Sequence, residues 1–189
     1  MPYFEKEREL DLEKLRVLWT EAYQSFRALM PETRVVVELG RFLMGPCGAL
    51  ITKVRFKKTS FGEEFLVVDG GTNLHMAAVG LGSFVKRNFP IRKIADDSEP
   101  TREYQIAGPL CTPNDLLGSK VSMPQCEVGD LIGVFQSGAY GASASPTGFI
   151  SHGFPAELAF EDEELRLIRQ RQSVQDLIKD QLLTRKESL

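Results

Sequence analysis

Four short polar stretches contain the residue types that could do chemistry. The first, Glu38-Leu39-Gly40-Arg41, places a carboxylate and a guanidinium directly after a run of β-branched residues. In α/β folds, ligand-binding groups lie at the carboxyl ends of such buried strands. A turn with a solvated arginine and a structural glutamate explains the same residues equally well. This stretch therefore indicates either a ligand site or a simple turn.

The second stretch follows another apolar run, and the third concentrates reactive groups in one loop. Asp69-Gly70-Gly71-Thr72-Asn73 is more typical of a tight turn than of a binding site. Residues 108–115 contain Cys111 and Asp115 together with a glycine and two prolines. A lone cysteine is usually a small buried residue, but a loop so rigid and polar is a poor place to bury one.

The fourth stretch, residues 136–143, surrounds Tyr140 with small residues. Such a loop either admits a phosphate or simply turns a corner, and the pattern leaves both open. The two histidines, His75 and His152, have no carboxylate or nucleophile placed beside them, which predicts structural or surface positions. The three cysteines are too few and too scattered for a disulfide framework or a zinc site, so no metal is expected.

The composition excludes several classes of partner. The chain has 189 residues, with 23 Lys and Arg against 26 Asp and Glu, for a net charge of −3. This mild acidity gives no general attraction to nucleic acid or to an anionic membrane. No apolar stretch approaches the roughly 20 residues that span a bilayer, and the charged segment Met1–Leu10 does not resemble a signal peptide. We expect a cytoplasmic protein with reduced cysteines.

The first forty residues predict one helix and one strand. Between Asp11 and Met30, apolar residues recur three or four apart, with Asp11 as the N-cap and Pro31 as the terminator. The run Arg34–Glu38 has no polar alternation, which favours a strand buried on both faces, as in a parallel sheet. Together they resemble the last piece of an α/β unit.

The rest of the chain is predicted to be mainly β. Strands are expected at residues 49–56, 65–69, 104–107, 130–135 and 164–169, with Gly and Pro between them. Residues 46–160 therefore predict an antiparallel barrel or sandwich. A capping box from Ser173 to Asp176 predicts a C-terminal helix, with Leu177, Ile178 and Leu182 on one face.

In this order and spacing, the stretches resemble the C-terminal portion of the pyridoxal-phosphate-dependent decarboxylases of the ornithine, diaminopimelate and arginine group, which have an alanine-racemase-like fold. The resemblance extends over residues 2–183 and rests on residues 38–41, 108–115 and 129–141. Residues 111–113, 134–140 and 145–147 are similar to the branch linked to exosortase systems and to carrier-protein-dependent antibiotic biosynthesis.

The resemblance implies a cofactor site. In this family a (β/α)8 barrel holds pyridoxal 5'-phosphate, and a C-terminal β domain from a dimer partner completes the site. Glu38 would pair with the pyridinium nitrogen, so that the ring accepts the electrons left by departing CO2. Arg41, next to Gly40, would bind the cofactor phosphate together with the Tyr140 hydroxyl.

The resemblance also implies catalytic residues that act across the dimer. Cys111 would reach into the neighbouring site and help to return a proton to the reacting carbon, and Asp115 would shape the loop or meet the substrate. Thr112 stands where the diamine-forming members have an acidic residue that recognises the distal amine of the substrate. A carrier-bound or otherwise masked amino acid is therefore expected rather than a free diamino acid. Leu39 replaces a common proline, which should be harmless.

The resemblance further predicts that part of the enzyme is missing from this chain. We expect residues 1–45 to be the last helix and strand of a truncated (β/α)8 barrel, and residues 46–189 to be the C-terminal β domain. The Schiff-base lysine, the ring-stacking histidine and the Gly-rich phosphate loop of the family belong to the earlier barrel strands, and no lysine here has that context. The chain alone is expected to be inactive.

Three hypotheses follow, in decreasing order of preference. The chain is the C-terminal part of a homodimeric decarboxylase, in which case residues 12–38 should expose an apolar face. Alternatively, it is a non-catalytic partner or regulator that dimerises with a full-length decarboxylase. The third hypothesis is a β-barrel binding module whose similarity to the family is accidental.

Overall fold

The computed structural model describes residues 8–81 and 87–182. As the sequence predicts, the fold is mainly β, with a six-stranded sheet, a separate hairpin and a few helices. The α-helices are α1 Leu12–Leu29, α2 Gly40–Met44, α3 Met76–Val79 and α4 Val174–Ile178, and short 3-10 turns lie at Gly45–Cys47, Ala142–Ala144 and Phe149–Ser151. The strands are β1 Leu50–Ser60, β2 Glu63–Val68, β3 Ile91–Lys93, β4 Arg102–Ala107, β5 Leu116–Met123, β6 Leu131–Val134, β7 Glu157–Glu161 and β8 Glu164–Arg169.

The six-stranded sheet curls into a nearly closed barrel. Its strand order is β3-β6-β1-β2-β4-β5, and among the strand pairs of the described residues only β2–β4 is parallel. The two edge strands approach each other, because a Cβ added to Gly118 of β5 would meet the Cδ1 atom of Ile91 of β3 at 2.6 Å. Closure of this kind leaves little unpaired strand edge.

The core fills the inside of this barrel. Its fully buried members are mostly β-branched and aromatic residues on alternate strand positions, which is the period expected of strands with one face inward. The largest are Leu66, Phe89, Tyr104, Ile106, Leu117, Met123 and Ile132. The buried hydroxyl of Tyr104 has a hydrogen-bond partner, since it accepts a hydrogen bond from the Cys126 backbone N–H at 3.0 Å.

The N-terminal helix forms as predicted but packs against little. Asp11 caps α1, and its carboxylate accepts a hydrogen bond from the Lys14 backbone N–H at 2.9 Å. No residue of α1 is buried, and Trp19 is 46% exposed. The predicted apolar face between residues 12 and 38 is therefore exposed, as the first hypothesis requires.

The predicted strand at Arg34–Glu38 is not present. Residues 33–39 carry no regular secondary structure, and Val36 and Val37 are exposed. A β-strand needs a neighbour to satisfy its backbone groups, and none of the strands in the described part of the chain pairs with this segment. The prediction of a buried strand is therefore wrong for these residues, because an apolar composition does not specify the adjacent strands that a strand needs.

The other strand predictions are confirmed in position, with three omissions. The strands β3, β5 and β7 were not anticipated, and the helix α4 ends at Ile178, so Leu182 is not part of it. The capping box at the start of α4 is confirmed, because Ser173 and Asp176 bond each other's backbone N–H groups. No helix within residues 8–81 and 87–182 has the length and apolarity needed to cross a membrane.

Candidate functional site

The pairing of β1 with β6 brings two of the candidate stretches together. In this antiparallel pair, Leu50 at the start of β1 lies opposite Val134 at the end of β6. The chain that enters β1 and the chain that leaves β6 must therefore run side by side. The first of these carries residues 38–41 and the second carries residues 136–143, so the register of one strand pair joins the first and fourth stretches of the sequence.

Arg41 and Tyr140 meet at this junction. Arg41 lies in the first turn of α2, and its guanidinium carbon is 4.7 Å from the centroid of the Tyr140 ring. This is the distance of a cation–π contact. Tyr140 remains 53% exposed, so the ring and the guanidinium both face accessible space.

The loop of residues 136–145, here called the Tyr140 loop, packs closely against the 3-10 turn that follows α2. The Ser137 N–H donates to the Gly48 carbonyl at 2.9 Å, and the Gly138 N–H donates to the Gly45 carbonyl at 3.0 Å. A Cβ on Gly138 would overlap the carbonyl oxygen of Met44, which lies at the end of α2. Glycine at position 138 is therefore required for this close approach.

The far end of the same loop is fastened to α3. The Ser145 hydroxyl donates to the Gly141 carbonyl at 2.8 Å and accepts a hydrogen bond from the Met76 N–H at 2.9 Å. Tyr140 itself has φ +56°, which is unusual for a residue with a side chain and requires support from its surroundings. The backbone contacts on both sides of Tyr140 supply that support.

Asp115 is a buried anchor of the Cys111 loop. Its carboxylate accepts hydrogen bonds from the Thr72 N–H at 2.7 Å, the Thr72 hydroxyl at 2.8 Å and the Leu110 N–H at 2.7 Å. The residue is 5% exposed, and a Cβ on either Gly71 or Gly108 would run into its carboxylate. Of the two roles expected for Asp115, this geometry favours the shaping of the loop.

The remaining predicted site residues are accessible. Cys111 is exposed at the tip of the loop that Asp115 anchors, which fits the expectation that this loop does not bury its thiol. Glu38 and Gly40 are also exposed, and Gly40 is the first residue of α2. The second stretch forms the tight turn that its composition favours, because the Leu74 and His75 N–H groups both bond the Gly71 carbonyl at 2.9 Å.

His75 is buried at the start of α3. It is 1% exposed, its Nδ1 accepts a hydrogen bond from the Ala78 N–H at 3.3 Å, and its ring meets Phe89 edge to face at 5.3 Å. Burial, with the positive charge of Arg41 as a second cause, lowers the pKa of His75 to about 4. The imidazole is therefore neutral at pH 7 and acts as a structural cap of α3, as the sequence predicts.

The other two cysteines have different surroundings. Cys126 is fully buried, and burial raises the pKa of its thiol to about 11. Cys47 is exposed, and its thiol donates to the Leu43 carbonyl at 3.3 Å. The described residues contain no group of His, Cys, Asp and Glu side chains that could hold a metal ion.

For two residues within the quoted stretches, the sequence does not predict the roles that the structure shows. Thr72 links the glycine turn to Asp115, and Ser145 links the Tyr140 loop to α3. Both contacts join residues far apart in the chain, so no local pattern reveals them. Residues 70–76 therefore contact both Asp115, which holds the Cys111 loop, and Ser145, which holds the Tyr140 loop.

The Arg41 and Tyr140 pair presents a guanidinium and a phenol hydroxyl at one place on the surface. A guanidinium has five N–H donors arranged in a fork that suits a phosphate or a carboxylate. The phenol can donate one further hydrogen bond. This donor set is suited to an anion.

Comparison with known proteins gives the arrangement a family context. Residues 23–138 match the family model described as the pyridoxal-dependent decarboxylase, C-terminal sheet domain. The chain is 37% identical to the L-glutamyl-(BtrI acyl-carrier protein) decarboxylase of Niallia circulans, over 97% of this chain and 44% of that protein. It is 34% identical to the diaminopimelate decarboxylase of Escherichia coli K12, over 97% of this chain and 46% of that protein.

Solved structures agree with these sequence matches. The Helicobacter pylori diaminopimelate decarboxylase in complex with L-lysine superposes with a TM-score of 0.78 at 28% identity, over 94% of this chain and 41% of that one. The M. jannaschii diaminopimelate decarboxylase shares the fold with a TM-score of 0.85 at 24% identity, over 97% of this chain and 41% of that one. The chain thus spans about half the length of the relatives it matches.

Proposed function

The chain belongs to the pyridoxal-dependent decarboxylases, whose C-terminal sheet domain it contains, and from that premise we propose that it contributes to the decarboxylation of an amino acid. The hypothesis of an accidental similarity is thereby excluded. The observation that carries the proposal is the contact between Arg41 and Tyr140, because it gathers the donors for a phosphate where the segment before β1 meets the loop after β6.

The residues at this point fit the cofactor of the family. Arg41 and Tyr140 together offer charged and neutral donors to a phosphate, and Glu38, two residues before α2, is an exposed carboxylate that suits a protonated pyridine nitrogen. Pyridoxal 5'-phosphate, when bound, supplies a ring that accepts the electron pair left by departing CO2. The task of this chain's residues is to hold the phosphate and to keep the ring nitrogen protonated.

Cys111 has the access that a proton donor needs. Its thiol is exposed, while the loop that carries it is fixed from below by the buried carboxylate of Asp115. A fixed loop with an accessible tip can insert into a neighbouring site without losing its shape. We assign to Cys111 the donation of a proton to the reacting carbon of the partner's substrate, and to Asp115 the positioning of the loop.

The substrate we propose is an amino acid bound to a carrier protein. Thr112 follows the thiol in the sequence, and a threonine has no charge with which to recognise a distal amine. The Niallia circulans relative is named for a glutamyl group on an acyl-carrier protein. A glutamyl group that is attached to a carrier through its side-chain carboxyl keeps the α-carboxylate that leaves as CO2 but has no charged distal group, which suits an uncharged residue at position 112.

The domain acts within a larger assembly. The exposed apolar side chains of α1 and of the segment before α2 require a covering surface to be stable in water. We propose that residues 1–45 belong to a barrel and residues 46–189 to the sheet domain of a homodimer. In the alternative proposal, the barrel comes from a full-length decarboxylase with which this chain pairs as a non-catalytic partner or regulator.

The test uses the native polypeptide purified from its source cells. CO2 release is measured with a glutamyl-loaded carrier protein and, separately, with free glutamate, ornithine and diaminopimelate. Release from the loaded carrier only, with a loss of at least tenfold in the Cys111→Ala and Arg41→Ala variants, supports the proposal. Equal turnover of free diamino acids would contradict the substrate assignment.

The intact mass of the native product separates the two assemblies. A product much heavier than 21.1 kDa indicates that the sheet domain and the barrel are one polypeptide. A native product of 21.1 kDa that is inactive alone, but changes the activity of a co-purifying decarboxylase, supports the partner alternative. In the CO2-release test, Asn114→Ala is the matched control for Cys111→Ala, because Asn114 is exposed on the same loop as Cys111.

A further inference from the structure

Ser145 connects two parts of the molecule through a single hydroxyl. The hydroxyl donates to the Gly141 carbonyl, which is next to Tyr140, at 2.8 Å. It accepts a hydrogen bond from the N–H of Met76, the first residue of α3, at 2.9 Å. Both partners are backbone atoms, so the link does not depend on the side chain at either position.

On the C-terminal side of Tyr140, the Gly141 carbonyl accepts hydrogen bonds from the Ser145 hydroxyl and from the Ala144 N–H at 3.0 Å, and of these two donors the Ser145 hydroxyl also bonds a residue outside the loop. On the other side, the Ser137 and Gly138 N–H groups bond the 3-10 turn that follows α2. Between these two attachments Tyr140 adopts φ +56°. A non-glycine residue in this region relaxes unless its neighbours hold it, so the position of the phenol ring depends on both attachments.

Ser145 also connects the loop to a turn that is anchored in the core of the domain. Met76 follows His75, which is 1% exposed, and the turn before it is tied to the buried Asp115 carboxylate through Thr72. The hydroxyl of Ser145 therefore joins the loop that carries Tyr140 to a turn that is itself tied to the buried Asp115 carboxylate.

We propose that Ser145 is a positioning residue that holds the Tyr140 ring over the Arg41 guanidinium. Ser145 acts through its hydrogen bond to the Gly141 carbonyl and makes no contact with a ligand. The consequence for a bound phosphate rests on the function proposed above, whereas the effect on the ring and the guanidinium does not.

A merely structural role for Ser145 makes a different prediction. The Met76 N–H is one of the amides at the start of α3, and its loss of a partner would lower the stability of the fold. Such a loss would leave the Tyr140 ring where it is. The position of the ring relative to Arg41 therefore distinguishes the two roles, and stability alone does not.

The test follows the Arg41 side chain by NMR in the full 189-residue chain. A guanidinium above an aromatic face has its side-chain proton resonances shifted upfield by the ring current, and the Tyr140→Leu variant gives their unshifted positions. The variants compared are Ser145→Ala, Ser145→Thr, which retains a hydroxyl, and the control Ser143→Ala, which removes an exposed hydroxyl from the same loop. Circular dichroism and the methyl spectrum of the core report whether each variant is folded.

The expected result is that Ser145→Ala moves the Arg41 resonances at least halfway to their positions in Tyr140→Leu. Ser145→Thr and Ser143→Ala are expected to keep the values of the unmodified chain. The proposal is overturned if folded Ser145→Ala retains the full upfield shift, or if Ser143→Ala loses it to the same extent. If Ser145→Ala does not fold, the failure of Ser145→Thr to preserve the shift overturns the proposal as well.

A second arm separates this proposal from the proposed function. Inorganic phosphate is titrated into the unmodified chain and into Ser145→Ala, and the Arg41 resonances report binding. If phosphate binds, we expect an affinity roughly three- to tenfold weaker in Ser145→Ala, the worth of about one hydrogen bond. If phosphate leaves Arg41 unchanged in both proteins, the phosphate site fails, while a loss of the ring-current shift still supports the positioning role.

Discussion

The guanidinium carbon of Arg41 lies 4.7 Å from the centroid of the Tyr140 ring, although most of the barrel separates the two residues in the sequence. The contact follows from topology, since β1 and β6 are antiparallel neighbours and Leu50 faces Val134. Arg41 precedes the first of these strands, and Tyr140 follows the second. The sheet thus sets the distance between the two donors before any ligand is present.

Replacement of Tyr140 tests the strength of this contact. Tyr140→Leu should lower the free energy of unfolding by about 0.5–1 kcal/mol, because a partly exposed cation–π pair contributes that much. Tyr140→Phe keeps the ring and should be close to neutral. Urea denaturation measures both. A loss in Tyr140→Phe as large as in Tyr140→Leu would mean that the hydroxyl, and not the ring, is the stabilising group.

The close approach of two backbone segments predicts a strong effect at Gly138. A Cβ at this position would overlap the Met44 carbonyl oxygen, so Gly138→Ala must push α2 and the Tyr140 loop apart. Forced overpacking of this kind costs about 1–3 kcal/mol. The thermal midpoint should fall accordingly, and the Arg41 resonances should move toward their positions in Tyr140→Leu.

Gly148→Ala is the matched control for this substitution. Gly148 has φ −78°, and a Cβ there meets no atom within 4 Å. The variant should be neutral or slightly stabilising, because alanine reduces the freedom of the unfolded chain. Equal destabilisation by the two substitutions would contradict the packing of Gly138 against Met44.

Loss of the buried carboxylate should destabilise the Cys111 loop. Asp115→Ala leaves the Thr72 N–H, the Thr72 hydroxyl and the Leu110 N–H without their acceptor in a buried place. We expect a loss of about 2–4 kcal/mol, because buried unsatisfied groups carry their full desolvation cost. Thr72→Val removes only the hydroxyl bond and should cost about 1 kcal/mol.

Proteolysis locates this effect within the molecule. Limited digestion of Asp115→Ala should cut first between residues 108 and 115, while the exposed Asn114→Ala variant should resist as the unmodified chain does. If Asp115→Ala resists digestion as well as Asn114→Ala does, the Asp115 carboxylate does not hold the loop.

The sequence correctly predicts those elements that are determined by residues close to one another in the chain. Asp11 caps α1, Ser173 and Asp176 form a capping box, and the β-branched run of β1 is a strand. Each depends on residues within four positions or on a period of two. Predictions of this type need no knowledge of the rest of the fold.

The failures have a different physical origin. The strand expected at Arg34–Glu38 needs partners that the local sequence does not specify, and β3 is only three residues long. In β5, Gly118 and the positive φ of Lys120 interrupt the alternation of apolar residues. The two bonds of Asp115 to Thr72 cross 43 positions and the bond between Ser145 and Met76 crosses 69, so they exist only once the barrel is closed.

Burial predicts different reactivities for the three cysteines. Cys111 and Cys47 are exposed, whereas Cys126 is buried with its thiol pKa raised to about 11. Because the thiolate is the reactive form, iodoacetamide at pH 7.5 should alkylate two thiols of the folded chain and spare Cys126. Peptide mass spectrometry identifies the sites. In 8 M urea all three should react, and rapid alkylation of Cys126 in the folded chain would contradict its placement in the core.

The buried imidazole of His75 should make the fold sensitive to mild acid. Its pKa is lowered to about 4 from an ordinary value of 6.5, because burial and the nearby Arg41 charge disfavour the protonated form. The unfolded chain therefore takes up a proton between these two pH values and the folded chain does not. The contribution of His75 to stability is complete above pH 6.5 and is lost as the pH falls toward 4, by roughly 3 kcal/mol in total.

A variant without the titrating group isolates this effect from that of the carboxylates. His75→Asn keeps a side chain that can cap α3 but cannot gain a proton in this range, so its stability should change less between pH 7 and pH 4.5 than that of the unmodified chain. His152→Asn, which removes an exposed imidazole, is the matched control. Urea denaturation at the two pH values measures the difference. An equal pH dependence in His75→Asn and the unmodified chain would show that His75 is not held neutral by the fold, and an NMR midpoint for His75 near 6.5 would lead to the same conclusion.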